Sequence, residues 1–399
     1  MSLRLSDTAL GIAPSMTLHL TAQAARMKKE GKDVISLCAG EPDFATPAPI
    51  CAAAVHALEN GHTRYTDAAG LPALRQAIAE NIRAQKGLVY TPEEIIVSAG
   101  AKQVLYSACL ALLNPGDQVL LPSPHWLSYP EIIRMAGGVP VPISTTPEHH
   151  FLPDCTQLAA AITPRTRALL INTPGNPTGA VWPRALLEDI MHLARAHDLF
   201  VISDEIYEQL VYDDCMHISP AQLSEDAVQR TIVVSGFSKT YAMTGWRVGY
   251  AAGPREIISA MAALQSHMTG SCNTMAQYAA WAALTEAQSF AEEFRRAFAA
   301  RRDFLLQCIQ AENLHCAVQP QGAFYLLLDV RPYIGKRFEG EIITDDVAFA
   351  DLLLRYALVG VVPGAAFGAL GCVRISYAVN EDVLATAAHR IGAFVRALQ

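Results

Sequence analysis

The sequence predicts an α/β fold with two units: a large domain whose mostly parallel sheet is flanked by helices, and a smaller α+β domain. Three observations support this prediction. The chain of 399 residues is longer than one ordinary core requires. Short apolar runs alternate with longer amphipathic runs through its middle, and this texture changes near Thr285.

The predicted strands of the large domain are brief, rich in Val, Ile and Leu, and closed by turn residues, as buried parallel strands are. They are Ile95–Ser98, Gln118–Leu121, Ala168–Asn172, Phe200–Ser203, Thr231–Ser235 and Val248–Ala252. Helical patterns lie between them. In Lys102–Leu113 the apolar side chains share one face, and the turn at 114–117 ends the helix; Arg184–His197 is a second helix.

The C-terminal part begins with a long helix pattern, Glu286–Gln310, and closes with another helix. Between them we predict the strands Ala323–Asp329, Val359–Val362 and Val373–Tyr377. The first forty or so residues have no strand partners of their own. We expect them to pack with the small domain, a neighbouring subunit being the alternative. The predicted parts are an N-terminal segment (1–45), a large domain (46–285) and a small domain (286–399).

Composition and charge argue against several classes of protein. We find no run of about 18 or more apolar residues and no secretory signal at Met1–Leu10, so we expect no membrane span and a cytoplasmic location. The net charge is −8 without a basic block, which disfavours nucleic acid and anionic membranes as partners. The 9 cysteines are scattered without a C-x-x-C pair, so we expect reduced thiols and no metal site.

The strongest chemical signal is a single lysine after a buried strand. Lys239 follows Ser235-Gly236-Phe237-Ser238, and ligands of α/β folds bind at the carboxyl ends of strands. A surface lysine is the commoner interpretation of an isolated Ser-Lys pair. Here the run continues through Gly245-Trp246-Arg247-Val248-Gly249, with a fixed cation and with glycines where the backbone approaches another group closely. This run resembles the lysine-attachment signature of class I (fold type I) aminotransferases, which use pyridoxal 5'-phosphate (PLP).

The resemblance implies the PLP-transferase fold and assigns roles to residues at other strand ends. Asp204, in Ser203-Asp204-Glu205-Ile206-Tyr207, would pair with the pyridine nitrogen and keep it protonated, since a protonated ring is the electron sink. A helix N-cap is the plainer interpretation of this aspartate. Tyr207, together with Asn176 of Asn176-Pro177-Thr178-Gly179, would donate to the phenolic oxygen of the cofactor.

A phosphate needs amide donors and positive charge. The strand ending at Ser98 leads through a turn of small residues into a helix start at Gly100, Ala101 and Lys102, where free N–H groups and the helix dipole converge. Many α/β turns look similar, so the resemblance carries this assignment. It adds Ser238 and Arg247 as phosphate ligands and Trp126 as the aromatic ring that stacks on the pyridine.

The resemblance extends from Gly40 to Arg374 with the motifs in family order. Arg374 interrupts an apolar strand, where a charge is costly unless it is paired or functional. It matches the arginine that binds the substrate α-carboxylate, and Gly40 matches a substrate-contacting glycine. Tyr65 matches a tyrosine that reaches the cofactor phosphate of the neighbouring subunit, so a homodimer with shared active sites is implied.

The implied reaction is a ping-pong transfer of an amino group to a 2-oxo acid such as 2-oxoglutarate. Lys239 would bind the cofactor as a Schiff base and act as general base and then general acid. This role requires a neutral amine, so we expect burial and nearby cations to lower the pKa of Lys239. Asp204 and Tyr207 complete the predicted catalytic set.

The substrate is expected to be aspartate or glutamate. One branch of bacterial aspartate aminotransferases reads the distal carboxylate with a lysine of the phosphate turn and with Ser and Thr near the N-terminus; Lys102, Ser15 and Thr17 resemble that set, and Ser266 is a further candidate. The arginine of the other branch has no counterpart in Leu264–Thr269. His125 departs from the family, where an aromatic such as tyrosine is typical.

Other functions remain as alternatives. The nearest are an aromatic, alanine or other neutral amino-acid aminotransferase and a prephenate aminotransferase, since prephenate is an acidic acceptor that fits the same pocket. A PLP-dependent β-eliminating lyase or cyclopropane-forming synthase on the same fold is further away. A PLP-sensing regulator would carry an N-terminal DNA-binding domain, for which the forty residues before Gly40 are too few.

Overall fold

The computed structural model describes residues 4–399. Its helices are α1 (Asp7–Gly11), α2 (Met16–Lys29), α3 (Ala48–Glu59), α4 (Pro72–Lys86), α5 (Ala101–Leu112), α6 (Ser128–Met135), α7 (Cys155–Ala161), α8 (Arg184–Ala196), α9 (Glu225–Arg230), α10 (Arg255–Met268), α11 (Thr274–Glu286), α12 (Gln288–Ala311), α13 (Asp346–Leu352) and α14 (Glu381–Arg396). In this part of the chain no helix is both long and apolar enough to cross a membrane.

The strands form one large sheet and three small ones. They are β1 (Ile35–Ser36), β2 (Ile95–Ser98), β3 (Gln118–Pro122), β4 (Val139–Ile143), β5 (Thr166–Asn172), β6 (Phe200–Asp204), β7 (Thr231–Gly236), β8 (Gly249–Ala252), β9 (Tyr325–Asp329), β10 (Arg337–Phe338), β11 (Glu341–Ile342), β12 (Val359–Gly360), β13 (Val362–Pro363) and β14 (Cys372–Ser376). The seven-stranded sheet has the order β2-β8-β7-β6-β5-β3-β4.

The central sheet is mostly parallel, as predicted, with β8 antiparallel to both of its neighbours, β2 and β7. All six strands predicted for this domain are present. The sequence pattern does not predict β4, because Pro140 and Pro142 argue against a strand. This strand lies at the edge of the sheet and pairs only with β3, and an edge tolerates proline because one side needs no backbone donor.

Alternate residues of the sheet face two apolar layers. Leu170 and Ile202 pack in the same cluster as Val104 and Leu105 of α5. Leu169 and Val201 pack on the other side, in the cluster that includes Leu187 and Ile190 of α8. Strand side chains alternate between faces, so inner strands such as β5 and β6 are buried on both sides and read as continuous apolar runs.

The C-terminal part builds a three-stranded antiparallel sheet in the order β13-β14-β9. The predicted strand Val359–Val362 is wrong as a single element, because the structure divides it. Val359–Gly360 pairs with β1 in parallel, whereas Val362–Pro363 pairs with β14. The chain therefore changes sheets at Val361, which a run of apolar residues does not reveal.

The N-terminal segment contacts the C-terminal part of the chain through β1 and α2. The N–H of Ile35 donates to Leu358 O (2.8 Å), and the N–H of Leu37 donates to Gly360 O (2.8 Å). Ala24 and Met27 of α2 share a small apolar cluster with Leu354. The domain boundaries at residues 45 and 285 stay predictions.

Candidate active site

A cavity of about 400 Å³ lies at the carboxyl ends of the central strands, beside the small C-terminal sheet. Its lining brings together residues that are far apart in the sequence. The predicted residues among them are Ser15, Thr17, Gly40, Ala101, Lys102, Trp126, Asn176, Asp204, Tyr207, Ser238, Lys239, Arg247 and Arg374. Gly100 directly precedes this lining, and Tyr65 lies outside it.

Lys239 enters the cavity just after β7. Its side chain is buried, and Nζ donates a hydrogen bond to Gly40 O at 2.6 Å. Burial lowers the pKa of Lys239 to about 8, and the positive charges of Arg247 and Arg374 act in the same direction. This is the direction expected from the sequence. A pKa near 8 leaves roughly a tenth of the amine neutral at pH 7 and more at higher pH, far more than an ordinary lysine, and a proton acceptor requires the neutral form.

Asp204 ends β6 and is only 3% exposed. Its Oδ2 accepts a hydrogen bond from Tyr129 Oη (2.7 Å), and its Oδ1 accepts one from the Ile206 N–H (3.1 Å). Burial raises the pKa of this carboxyl to about 6 in spite of both hydrogen bonds. A buried carboxylate whose pKa is raised by desolvation is stabilised by a nearby cation, so Asp204 fits the protonated ring nitrogen of PLP.

Tyr207 and Asn176, the two side chains predicted to donate to the phenolic oxygen of PLP, face the same cavity. Tyr207 Oη lies 2.9 Å from Tyr325 Oη, and burial raises the pKa of Tyr207 well above its ordinary value, so it remains a donor. Asn176 Oδ1 accepts from Arg374 Nη1 at 3.0 Å, which leaves Nδ2 as the donor end of the amide. Asn172 Oδ1 accepts the Asn176 N–H (2.8 Å), which fixes the loop.

An anion cradle forms where α5 begins. Gly100 is the N-cap residue with φ +86°, and a Cβ there would lie 2.5 Å from Arg247 Nη2. A Cβ on Gly249 would lie 2.4 Å from Ala101 N. Glycine at both positions therefore lets the guanidinium and the first amides of the helix approach one point. The first N–H groups of a helix have no intrahelical acceptor, so the cradle fits the phosphate of PLP.

Arg374 lies on β14 and is 2% exposed. Nη1 donates to Asn176 Oδ1 at 3.0 Å and Nη2 donates to Cys38 O at 2.7 Å, while the ring of Tyr325 lies 4.4 Å from the guanidinium carbon. Among residues 4–399, Nε has no hydrogen-bond partner and the guanidinium forms no ion pair with a carboxylate. A buried cation with unused donors is suited to a carboxylate ligand.

Three further polar side chains line the cavity: Lys102, Thr17 and Ser15. Lys102 Nζ lies 4.8 Å above the ring of Trp126, and burial lowers the pKa of Lys102, helped by the charge of Arg247. Thr17 Oγ1 is buried and has no partner among the described residues. Ser15 caps α2 and accepts the Leu18 N–H at 3.4 Å. The predicted distal set of Ser15, Thr17 and Lys102 therefore lines the same cavity as Lys239.

Two further positions do not contribute to this lining. Ser266 is exposed on α10 and donates to Ala263 O (2.7 Å), so it does not complete the distal set within one chain. His125 does not line the main cavity but a smaller one beside it, and its backbone N–H donates to Phe367 O at 2.9 Å. His125, the residue at which the sequence differs from the family, is therefore not part of the main cavity lining.

Tyr65 is 91% exposed on the surface of the chain. Its place in a shared site stays a prediction. Tyr129 and Tyr325 also line the cavity, although neither was predicted from the sequence. Tyr129 stands three residues after Trp126 at the start of α6, so helical spacing was a usable signal. Tyr325 begins an apolar strand and carries no such signal.

A model of the family described as "Aminotransferase class I and II" matches residues 32–391. An aspartate aminotransferase of Bacillus sp. (strain YM-2) is 47% identical over 385 residues, which are 96% of this chain and 97% of that protein. An aspartate/prephenate aminotransferase of Thermus thermophilus is 46% identical over 389 residues, 97% of each chain.

Solved structures of aspartate aminotransferases have the same fold as this chain. The aspartate aminotransferase from Thermus thermophilus with maleate has a TM-score of 0.93 and 45% identity, covering 98% of this chain and 100% of its own. The aspartate aminotransferase from Rhizobium meliloti has a TM-score of 0.96 and 42% identity over the full length of both chains.

Proposed function

The chain belongs to the class I and II aminotransferase family, and from this premise we propose that it moves the amino group of L-aspartate or L-glutamate to a 2-oxo acid such as 2-oxoglutarate, with PLP bound at Lys239. One observation carries the proposal. A buried amine, Lys239, borders the same cavity as an uncompensated carboxylate, Asp204, and an uncompensated guanidinium, Arg374. These three groups match the reacting carbon, the ring nitrogen and the substrate carboxylate of a transamination.

The proposed cofactor contacts follow from the lining. Ala101 and Lys102 would bind the phosphate with their amides, supplemented by Ser238 and Arg247. The ring would be held by a second set of residues: Asp204 at its nitrogen, Tyr207 and Asn176 at its oxygen, and Trp126 at its face. When bound, PLP supplies an electron sink that stabilises negative charge on the substrate α-carbon.

The residues of the chain orient the substrate and move its proton. Arg374 would bind the α-carboxylate with two parallel hydrogen bonds, which limits rotation and directs the bond between Cα and hydrogen. Lys239 Nζ would accept the proton from Cα in its neutral form, which a pKa lowered to about 8 makes accessible near neutral pH, and would hold it for return in the second part of the reaction. Burial of this amine keeps water from competing for the proton.

The distal carboxylate of the substrate would lie between Lys102, Ser15 and Thr17. The unpartnered Thr17 hydroxyl and the Lys102 ammonium line the same cavity and favour an anionic group beside them. Relatives are named aspartate aminotransferases, and the related Thermus structure was determined with maleate, a dicarboxylate. The name aspartate/prephenate aminotransferase of a second relative favours prephenate as a second acceptor.

Replacement of Lys102 tests the substrate assignment. For Lys102→Ala we expect kcat/KM for L-aspartate to fall about 10- to 100-fold, since a hydrogen bond to a charged group is lost. Turnover of L-alanine, which has no distal carboxylate, should stay within about threefold. The measurement is the half-reaction: purified holoenzyme with excess amino acid and no oxo acid, followed by the absorbance of the cofactor.

The matched control is Lys29→Ala, which removes an exposed lysine of α2. An equal loss with aspartate and alanine would contradict a distal role for Lys102. Faster reaction of phenylalanine or alanine than of aspartate in the unmodified enzyme would instead support a neutral or aromatic substrate. Release of pyruvate or ammonia without amino transfer would support the lyase alternative.

Arg374→Lys is expected to behave differently. The charge is kept but the planar fork is lost, so kcat/KM should fall about 10- to 100-fold for aspartate and alanine alike. Both substrates carry the α-carboxylate, so selectivity between them should not change. Steady-state kinetics with the two substrates measures this, with the PLP dissociation constant as the internal control. A loss confined to aspartate would place Arg374 at the wrong end of the substrate.

We also propose a homodimer with shared active sites and a cytoplasmic location. The phenol of Tyr65 is almost fully exposed and stands outside the cavity of its own chain, which supports a role at the cofactor phosphate of a partner subunit. All nine cysteines are free, in keeping with a reducing compartment.

A further inference from the structure

A buried cluster of charged side chains lies directly behind the segment that carries Asp204 and Tyr207. Its members are Lys86, Glu205, Glu208 and His217, and none of their side chains is more than 9% exposed. Lys86, the last residue of α4, forms ion pairs with both Glu205 and Glu208. His217 Nε2 lies 3.0 Å from Glu205 Oε2.

Hydroxyl groups complete the cluster. Glu205 Oε1 accepts hydrogen bonds from Ser203 Oγ (2.9 Å) and Ser219 Oγ (2.6 Å). Glu208 Oε1 accepts one from Ser235 Oγ of β7 (2.8 Å). The two carboxylates thus tie the end of β6 to α4, to β7 and to the loop of residues 217–219.

The sequence positions of the two carboxylates matter. Glu205 follows Asp204 and Glu208 follows Tyr207, so each residue that faces the cavity has a neighbour in the cluster. The Lys86 ammonium contacts both of these neighbours. A single cation therefore anchors the backbone on either side of residues 204–207.

From this geometry we infer that Lys86 is a positioning residue, which holds the 204–208 segment so that Asp204 and Tyr207 meet the cofactor. The inference rests on the proposed function, because it assumes that these two residues bind PLP. Lys86 itself does not line the cavity and touches no substrate.

Charge balance supports this role. Burial alone would raise the pKa of Glu205, but the positive charge of Lys86 and the contacts of His217 hold it well below its ordinary value. Glu205 is therefore an anion adjacent to Asp204, and its charge contributes to the raised pKa of Asp204. Without Lys86, that anion would lose its partner and disturb the carboxylate in front of it.

A metal ion is the other cation that such ligands bind, since the ligand atoms of Glu205, Glu208 and His217 all lie within 4.8 Å of one another. In this chain the Lys86 ammonium lies against both carboxylates. A lysine in that place repels a metal ion and supplies the charge that the carboxylates require.

The test compares Lys86→Met with Lys86→Arg and with the double variant Lys86→Met/Glu205→Gln, in the full chain. We expect Lys86→Met to fold, to bind PLP about 10- to 100-fold more weakly and to lose kcat more than it raises KM, because the partners of PLP are misplaced rather than removed. Lys86→Arg keeps the charge, and the double variant removes the unpaired anion, so both should regain most of the affinity. Titration of PLP, the visible spectrum of the bound cofactor and thermal unfolding of the apoenzyme are the readouts, with Lys29→Met as the control.

A Lys86→Met enzyme that unfolds at a lower temperature but keeps the PLP affinity, spectrum and kcat of the unmodified enzyme would show a purely structural role and overturn the inference. If Lys86→Met does not fold, Glu208→Gln removes one anchor and retains the Glu205 pair. We expect a smaller loss of PLP affinity from it, about 3- to 10-fold, and an unchanged affinity would overturn the inference. Failure of the unmodified protein to bind PLP would instead overturn the proposed function.

Discussion

Lys239→Ala is expected to lower kcat/KM for amino transfer by about 10⁴-fold or more, because one change removes both the proton acceptor at Cα and the covalent attachment of PLP. The structure gives the amine its reactivity. Nζ is buried beside Gly40 O, and desolvation lowers its pKa to about 8. Stopped-flow absorbance of the half-reaction with L-aspartate measures the loss of proton transfer directly.

The attachment has its own measurement. Borohydride reduction of the unmodified holoenzyme should add the mass of the cofactor to the peptide that contains Lys239, and Lys239→Ala should lose this label. Lys102→Ala is the matched control, because it removes the other lysine of the lining and should keep the label. Label on Lys102 in the unmodified enzyme, or a Lys239→Ala enzyme with more than about 1% of the original rate, would refute the assignment.

Asp204→Asn is expected to lower kcat/KM by about 10²- to 10⁴-fold, which corresponds to breaking a buried ion pair by removing one partner. Asparagine keeps the size and one oxygen for Tyr129, so the fold should survive. It does not hold a proton on the ring nitrogen, so the electron sink weakens. Single-turnover rates test this, with unfolding of the apoenzyme as the control. A variant with full activity would exclude Asp204 as the partner of the ring nitrogen.

The pH dependence separates this role from a packing role. In the protein alone the pKa of Asp204 is raised to about 6, so the carboxyl takes up a proton as the pH falls below about 6. Only the anion complements a protonated ring nitrogen, so PLP affinity should fall in that range in the unmodified protein. The cofactor phosphate also titrates near pH 6, but it does so equally in the unmodified protein and in Asp204→Asn. A fall in PLP affinity below pH 6 that is present in the unmodified protein and absent from Asp204→Asn therefore reports the protonation of Asp204.

Local sequence patterns predicted most of the central sheet and the position of each strand end that carries chemistry. The six strands were recognisable because burial on both faces produces continuous apolar runs. The edge strand β4 escaped because two prolines are tolerated there. The break at Val361 was not predicted, because the two halves of the apolar run pair with different strands. Val359–Gly360 pairs with β1, near the start of the chain, whereas Val362–Pro363 pairs with β14, which follows shortly after it.

The residues of the candidate site also fall into two groups, those that the sequence predicts and those that it does not. Lys239, Asp204 and Asn176 follow strands within recognisable motifs. Tyr325 and Lys86 do not, because their importance comes from contacts across the fold: Tyr325 with Tyr207, and Lys86 with Glu205. A buried lysine at the end of a helix looks like any surface lysine in the sequence. Its carboxylate partners, Glu205 and Glu208, lie more than a hundred positions away along the chain.

Lys102 serves the proposed site twice, through two chemically independent groups. Its backbone N–H belongs to the first turn of α5, while its side chain extends over Trp126 and lines the cavity. An amide is common to nearly all residue types, so the anion cradle survives almost any replacement of the lysine side chain. Substrate preference and phosphate binding can therefore change independently at position 102, whereas Gly100 beside it leaves no room for a side chain next to Arg247.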